Sequence, residues 1–518
     1  MNKKILISLL YLLILAGTAH AALRVTDLRT EQLKNPLGID IRHPRLGWRI
    51  ESDEQNVMQT AYHILVASSP ELLAQGKGDC WDSGKVKTDA SQWITYQGET
   101  LKRNTPYYWK VKVYTHTNET DWSEPASWSM GLLNEADWQG QWIGLDRPAP
   151  GDSETQWSRL AARYLRKEFA LTKEVKRATV HIAGMGLYEL FINGQRIGEQ
   201  VLAPAPTDYR KTILYNTYDV TPQLQKENAI GVILGNGRFY TMRQNYKPYK
   251  IPTFGYPKLR LNLIVEYTDG SRQTIASDIS WKLTTEGPIR SNNEYDGEEY
   301  DARKELGDWN RTGYDDTNWI PAGRVSIPSG TLRAQMMPGM KVTESLKPVS
   351  IRKQGDKQIL DIGQNMAGWL RIRIKGQAGD SIRLRFAERL QPDGEIFTKN
   401  LRDAHCTDIY VVSGREPQDA TWAPRFVYHG FRYVEISGYP NAKTEDFTAE
   451  VVDDEMAHTG TFTCSDETLN KVLRNAFWGI RSNYKGMPVD CPQRNERQPW
   501  LGDHAMGSWG ESLFFNLS

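Results

Sequence analysis

The chain has 518 residues, 39% hydrophobic and 25% charged, with 42 Gly and 25 Pro. That balance excludes a mainly disordered, collagenous or coiled-coil chain and fits roughly three to four domains. Lys+Arg 64 against Asp+Glu 63 leaves a net charge of +1, so no global field draws polyanions and nucleic acid is not expected as a partner. The 17 Trp and 24 Tyr suit sheet cores first and sugar-stacking surfaces second.

Asn2-Lys3-Lys4, an apolar run from Ile5 to Ala16, and Ala19-His20-Ala21 form a secretory signal over 1–21 with cleavage before Ala22. The run is about a dozen residues, short of the ~20 that a spanning helix needs. The expectation is a periplasmic or secreted protein with no transmembrane segment after cleavage. Cys80, Cys406, Cys464 and Cys491 are far apart, with no C-x-x-C pair. They predict mostly buried free thiols and no metal site.

From 22 to 135 the pattern is short alternating strands. Tyr107 to Tyr114 alternates with period two, and Ser123-Glu124-Pro125 breaks the sheet before Ser127-Trp128-Ser129. A fibronectin type III-like β-sandwich is predicted. From 136 to 330 a second all-β stretch suggests a jelly roll, with Leu187–Ile192 turning at Asn193-Gly194, the strongest short hairpin signal. From 331 to 458 a third β-sandwich region follows. In it Arg371, Arg373, Arg383 and Arg385 alternate with apolar residues on half-exposed strands. They could face an acidic polysaccharide, but such a face is more often solvent-exposed or packed on a neighbouring domain.

After Gly460 the period becomes helical. Ser465 is the expected cap, followed by Leu469, Val472, Leu473, Phe477 and Ile480; a second helix is expected from Asp503, with Met506, Trp509, Leu513 and Phe514 on one side. Both have wide apolar faces with no visible partner, so 459–518 is expected to be an incomplete helical domain. The fold class is thus mostly β, with tandem sandwich and jelly-roll domains before the helices.

The densest polar stretch lies between the helices, from Met487 to Asp503. Asp490, Glu496 and Asp503 sit six and seven residues apart, with Arg494 and Arg497 flanking Glu496. Glycoside cleavage needs one carboxyl to protonate the leaving oxygen and a second to activate water or attack the sugar. Flanking arginines favour the ionised form of Glu496 and disfavour a general acid unless burial opposes them. On spacing alone the loop is a solvated set of salt bridges. The cluster Asp296, Glu298, Glu299, Asp301 can be a calcium or sugar site, but a turn with Arg303 as counter-ion is favoured. His405 and His429 are expected to pack, Asp361 with Gln364-Asn365 to satisfy a turn, and Glu511 to be a solvated helix position.

Asp490-Cys491-Pro492-Gln493-Arg494, Glu496-Arg497, Trp500, Gly502 and Asp503 resemble the signature of bacterial α-L-rhamnosidases of glycoside hydrolase family 78. Five more segments are similar to that family, in its order: Pro44 to Trp48, Asn236 to Tyr240, Tyr295 to Arg303, Asp361 to Trp369 and Tyr428 to Val434. The resemblance implies hydrolysis of terminal non-reducing α-L-rhamnose from polysaccharides or glycosides, with inversion and no cofactor. It implies Glu496 as general acid. It also implies Asp490, Arg494, Trp500 and Asp503 as substrate-binding residues, and an (α/α)6 barrel that begins at 459–518. Three departures stand out. Asn495 replaces the usual Asp, Gln498-Pro499 precedes Trp500 where a Gly is usual, and no residue matches the family's general base. The 518-residue chain alone is therefore expected to have little activity and to aggregate through its helices. The alternative function is a non-catalytic carbohydrate-binding β-protein.

Overall fold

Period two accounts for the first part of the chain. In the strand Pro106–Thr115, Tyr107, Trp109, Val111 and Val113 are buried and the residues between them half-buried. The computed structural model describes residues 23–116, 118–153, 159–241 and 254–517; the leader expected over 1–21 lies outside them. The chain divides between Leu133 and Asn134 into two compact units.

In the first unit, Arg24–Thr30, Arg45–Glu51 and Ile94–Thr95 form a three-stranded sheet. A five-stranded sheet is built on Gln59–Ala67 and Pro106–Thr115. Trp48 of the first sheet meets Tyr62 of the second edge-on at 5.3 Å, and its indole donates to Gln59 Oε1 at 3.1 Å. This contact satisfies the indole's one donor while its ring fills the space between the sheets. Ser69 caps the short helix α1 (Pro70–Ala74) through Leu72 N–H.

The described residues of the second unit form three sheets. Arg163–Ala170, Leu187–Ile192 and Glu227–Gly235 belong to a six-stranded sheet; Val175–Met185, Thr212–Asp219 and Lys258–Tyr267 belong to a seven-stranded one. The expected hairpin forms: Leu187–Ile192 pairs with Gln195–Arg196, and Asn193 and Gly194 take φ of 52° and 82°. Two successive positive φ values are what a type I′ turn requires. The third sheet, of ten strands, is organised around Lys357–Arg373, which pairs with His429–Ser437, Phe447–Asp454 and Ser350–Gln354.

The sheets differ from the expected division at residue 330. Ile289–Asn293 and Gly297–Asp301 join the ten-stranded sheet, the latter parallel to Thr407–Val411. Thr331–Ala334 runs back parallel to Thr212–Asp219. Both exchanges are parallel pairings between distant segments, which local alternation cannot specify. One hydrophobic core accordingly includes Tyr164, Phe191 and Trp309 together with Leu370, Phe386 and Phe431.

Two helices follow. α2 spans Glu467–Ser482 and α3 spans Leu501–Glu511. The cap of α2 is Asp466, not Ser465: its carboxylate accepts from Thr468 and Leu469 N–H. A carboxylate fits the positive end of a helix better than a hydroxyl does. α3 begins two residues before the expected Asp503. α2 is anchored by Arg481, whose guanidinium meets Asp453, Thr343 and Glu344. Its other side leaves Leu469 and Val472 exposed, and α3 exposes Met506 and Trp509. Among the described residues there are three α-helices, so no (α/α)6 barrel is formed by them. None of these helices is long and apolar enough to cross a membrane.

All four cysteines are free; Cys406 and Cys491 are buried, Cys80 and Cys464 half-buried.

Candidate active site

The 487–503 stretch folds as an irregular loop between α2 and α3. Asp490 and Gln498 tie it into a ring: Asp490 N–H donates to Gln498 O at 3.0 Å, and Gln498 N–H donates to Asp490 Oδ1 at 2.8 Å. Beneath the ring lies Arg497, fully buried with φ 51°. Its guanidinium lies 4.5 Å from the ring centre of Tyr428 and 5.4 Å from that of Tyr295, and donates to the carbonyls of Glu294 and Tyr428. A fully buried cation needs this many acceptors and π faces to offset lost hydration. Burial works against the Arg497 cation, but Tyr428, Glu294, Cys406 and Tyr295 together raise its pKa.

That anchor sets the neighbouring residue. Glu496 is 4% exposed. Its Oε2 accepts from Arg494 Nε at 3.0 Å and from Arg402 Nη1 at 2.9 Å, and its Oε1 accepts from the Trp500 indole N–H at 3.2 Å. Arg494 also reaches Asp490 Oδ2 at 3.0 Å, so one guanidinium bridges two carboxylates. Burial opposes the Arg494 cation, and Cys491, Glu496 and Asp490 together raise its pKa. The Cys491 thiol is pushed up to about 11, chiefly by burial, which keeps it protonated and unreactive. Ligand atoms of Asp490, Cys491 and Glu496 lie within 4.8 Å of one another, but Arg494 already supplies the positive charge there.

Four of the five expected site residues, Asp490, Arg494, Glu496 and Trp500, are therefore in one bonded cluster. Asp503 is not. It stands exposed in the first turn of α3, and among the described residues no hydrogen bond or ion pair joins it to the others. Two residues were not foreseen, Arg402 and Asp403. Asp403 accepts from the amide of Asn495, which accounts for Asn495 at a position where a second Asp would repel Asp403. Both come from about 90 positions upstream, and no local pattern marks them.

The other acidic residues are structural. Asp301 pairs with Arg303 at 2.8 Å, Glu299 with Arg159 at 2.7 Å, and Asp296 accepts from His405 N–H. Asp361 accepts from Arg432 and from Gly363 N–H. His429 is buried, stacked on Phe386 at 4.1 Å and bonded to Asp408 at 3.0 Å. Glu511 departs from the solvated position expected of it: it accepts from Tyr484 Oη at 2.6 Å and lies 3.7 Å from His504. Arg371 pairs with Glu450 at 2.5 Å and Arg373 with Asp419 at 3.6 Å, whereas Arg383 and Arg385 line a cleft of about 540 Å³. A larger cleft, about 1260 Å³, contains Glu189, Glu305 and Glu416. These acids are tied to Arg425, Tyr300 and Tyr410.

Four family models match in succession. A Rha78A-like N-terminal immunoglobulin domain covers 25–134, and an α-L-rhamnosidase N-terminal domain covers 173–344. A bacterial α-L-rhamnosidase concanavalin-like domain covers 351–453, and the bacterial α-L-rhamnosidase 6 hairpin glycosidase domain covers 457–518. An α-L-rhamnosidase of Formosa agariphila is 38% identical over 494 residues, covering 90% of this chain and 52% of the relative. The solved α-L-rhamnosidase of Dictyoglumus thermophilum superposes with TM-score 0.88 at 39% identity, over 95% of this chain and 56% of that one. The Streptomyces avermitilis α-L-rhamnosidase complexed with L-rhamnose gives TM-score 0.88 at 28% identity, over 95% and 64%. The chain spans about half the length of the curated relatives it matches.

Proposed function

The chain belongs to the bacterial α-L-rhamnosidase family, and on that premise we propose that the protein hydrolyses terminal non-reducing α-L-rhamnose from polysaccharides or glycosides, inverting the anomeric carbon. The observation that supports this most is Glu496, a nearly buried carboxyl at the meeting point of Arg402, Arg494 and Trp500.

Glu496 protonates the glycosidic oxygen as the bond to the anomeric carbon breaks. Positive charge then grows on the sugar ring, and Asp490 beside it stabilises that charge. Asp490, Arg494 and Asp503 bind rhamnose hydroxyls, and Trp500 offers its ring to the sugar. Asp503 joins the others only when the sugar bridges to it. The second carboxyl, which activates water, is assigned to no residue of 1–518. α2 and α3 open the (α/α)6 barrel of the family, which carries that base. Two carboxyls suffice for the chemistry, so no cofactor is invoked. The parts run as a signal over 1–21, a β-sandwich over 22–135, a jelly roll, a third β-domain and the helices. The signal sends the protein to the periplasm or outside the cell.

The test is the stereochemistry of the full gene product acting on p-nitrophenyl α-L-rhamnoside, followed by proton NMR. β-L-Rhamnose is expected as the first sugar formed. α-L-Rhamnose first would contradict inversion, and binding without turnover would favour the carbohydrate-binding alternative.

A further inference from the structure

The loop after Lys399–Leu401 belongs to the ten-stranded sheet region, yet it grips the acid loop at three places. Arg402 Nη1 donates to Glu496 Oε2 at 2.9 Å, Asp403 accepts from Asn495, and Cys406 Sγ donates to Gln493 O at 3.0 Å. Arg402 holds φ 59° and ψ −120°, a conformation that side chains other than Gly rarely adopt. Cys406, four residues on, also has positive φ, at 44°. Two such residues in one short loop persist only where surrounding contacts over-determine them, and they cluster at functional sites.

The chemistry at Glu496 is asymmetric. Oε2 accepts from two guanidinium groups, Arg402 and Arg494, while Oε1 accepts from the neutral indole of Trp500. An oxygen already holding two cationic donors is a poor place for a proton. We infer that Arg402 is a positioning residue for the acid: with Arg494 it fixes the Glu496 carboxyl by Oε2, so that the transferable proton sits on Oε1 on the Trp500 side. The β-domain then completes the acid site rather than only supporting it. The inference deepens the proposed function and rests on it.

A positioning role acting through the acid is separable from a structural one by leaving group. 2,4-Dinitrophenolate departs without a proton, and methoxide does not. The full gene product and its Arg402→Met, Arg402→Lys and Asp403→Asn variants are assayed on 2,4-dinitrophenyl and methyl α-L-rhamnosides, with thermal midpoints recorded to confirm folding. For Arg402→Met, kcat/KM on the methyl rhamnoside should fall about 10- to 100-fold, a fraction of what a whole general acid contributes. On the dinitrophenyl rhamnoside it should fall less than about threefold, since that step needs no proton. Arg402→Lys should recover part of the loss, and Asp403→Asn should affect both substrates alike. Equal losses on both substrates for Arg402→Met, or none, overturn the inference and leave the proposed function standing. A wild-type protein that hydrolyses neither substrate overturns both.

Discussion

Glu298 shows how far a single side chain departs from what its sequence context suggests. In the acidic run 296–301 it looks like one more solvated carboxylate. In the structure it is 1% exposed, its Oε2 accepting from the N–H groups of Arg425 and Phe426. Its carboxyl is pushed up to about 8, chiefly by burial; the Arg425 N–H opposes this and the Asp408 carboxylate adds to it. The folded chain therefore keeps a proton that the unfolded chain releases near 4.5. Stability from this group is fully present below about pH 4.5 and lost as pH rises through about 8. Glu298→Gln cannot titrate, and its carbonyl oxygen can accept both N–H bonds. Relative to the wild type, the variant should gain stability between pH 5 and 8, on the order of a few kcal/mol at most. Thermal midpoints at pH 5, 6.5 and 8 measure this, and a wild-type-to-variant difference that stays constant with pH would contradict it. At this scale spacing alone reads the 487–503 loop as a solvated set of salt bridges; only the family resemblance singles out Asp490, Arg494, Glu496 and Trp500, which the structure brings into one bonded cluster. Arg402 was not legible, being 94 positions from its partner. Nor was the isolation of Asp503, which depends on where α3 begins.

Among the elements, the long strand Lys357–Arg373 carries the sharpest constraint. It contains Gly368, between Ala367 and Trp369, paired with His429 on one side and Val451 on the other. A Cβ on Gly368 would sit 1.9 Å from the backbone oxygen of Glu450 and 3.0 Å from Val452 N. Neither atom can swing away as a side chain can. Gly368→Ala should therefore lower stability by more than about 4 kcal/mol, in the range reserved for core overpacking and broken ladders. The expected observation is insoluble protein or a thermal midpoint far below the wild type. As a control, Gly194→Ala meets only the flexible Arg311 side chain, at a φ of 82°, and should cost about 1 kcal/mol. Near-equal midpoints for the two variants would contradict the packing account. The sequence showed that a glycine stands here, but not which backbone passes beside it. Strands were legible from period two and helices from period 3.6, both local properties. The pairing of Gly297–Asp301 with Thr407–Val411 was not, because parallel partners can lie any distance apart in the chain. The helix starts differed by one or two residues, since a cap is decided by geometry as well as residue type.

For the whole molecule, the shared core of the second unit was not legible, because it joins segments far apart in the chain. That core joins the jelly-roll sheets to the ten-stranded sheet, so the loop holding Arg402 is fixed by the same packing that supports Glu496 from below through Arg497, Tyr428 and Tyr295. Phe477 of α2 packs against Phe514 and Phe515, just past α3, while Leu501, Met506 and Trp509 of α3 are each more than three-quarters exposed. The near-zero net charge sets no long-range preference for a partner. The most direct test of the account is kcat/KM of the full gene product and its Glu496→Gln variant on methyl α-L-rhamnoside, whose leaving group needs a proton, with rhamnose affinity measured alongside. Glu496→Gln keeps the shape of the side chain and removes the proton it can give. A loss of about 10²- to 10⁴-fold with rhamnose binding retained is predicted; hydrolysis by the variant at the wild-type rate would contradict the assignment of Glu496 as the acid.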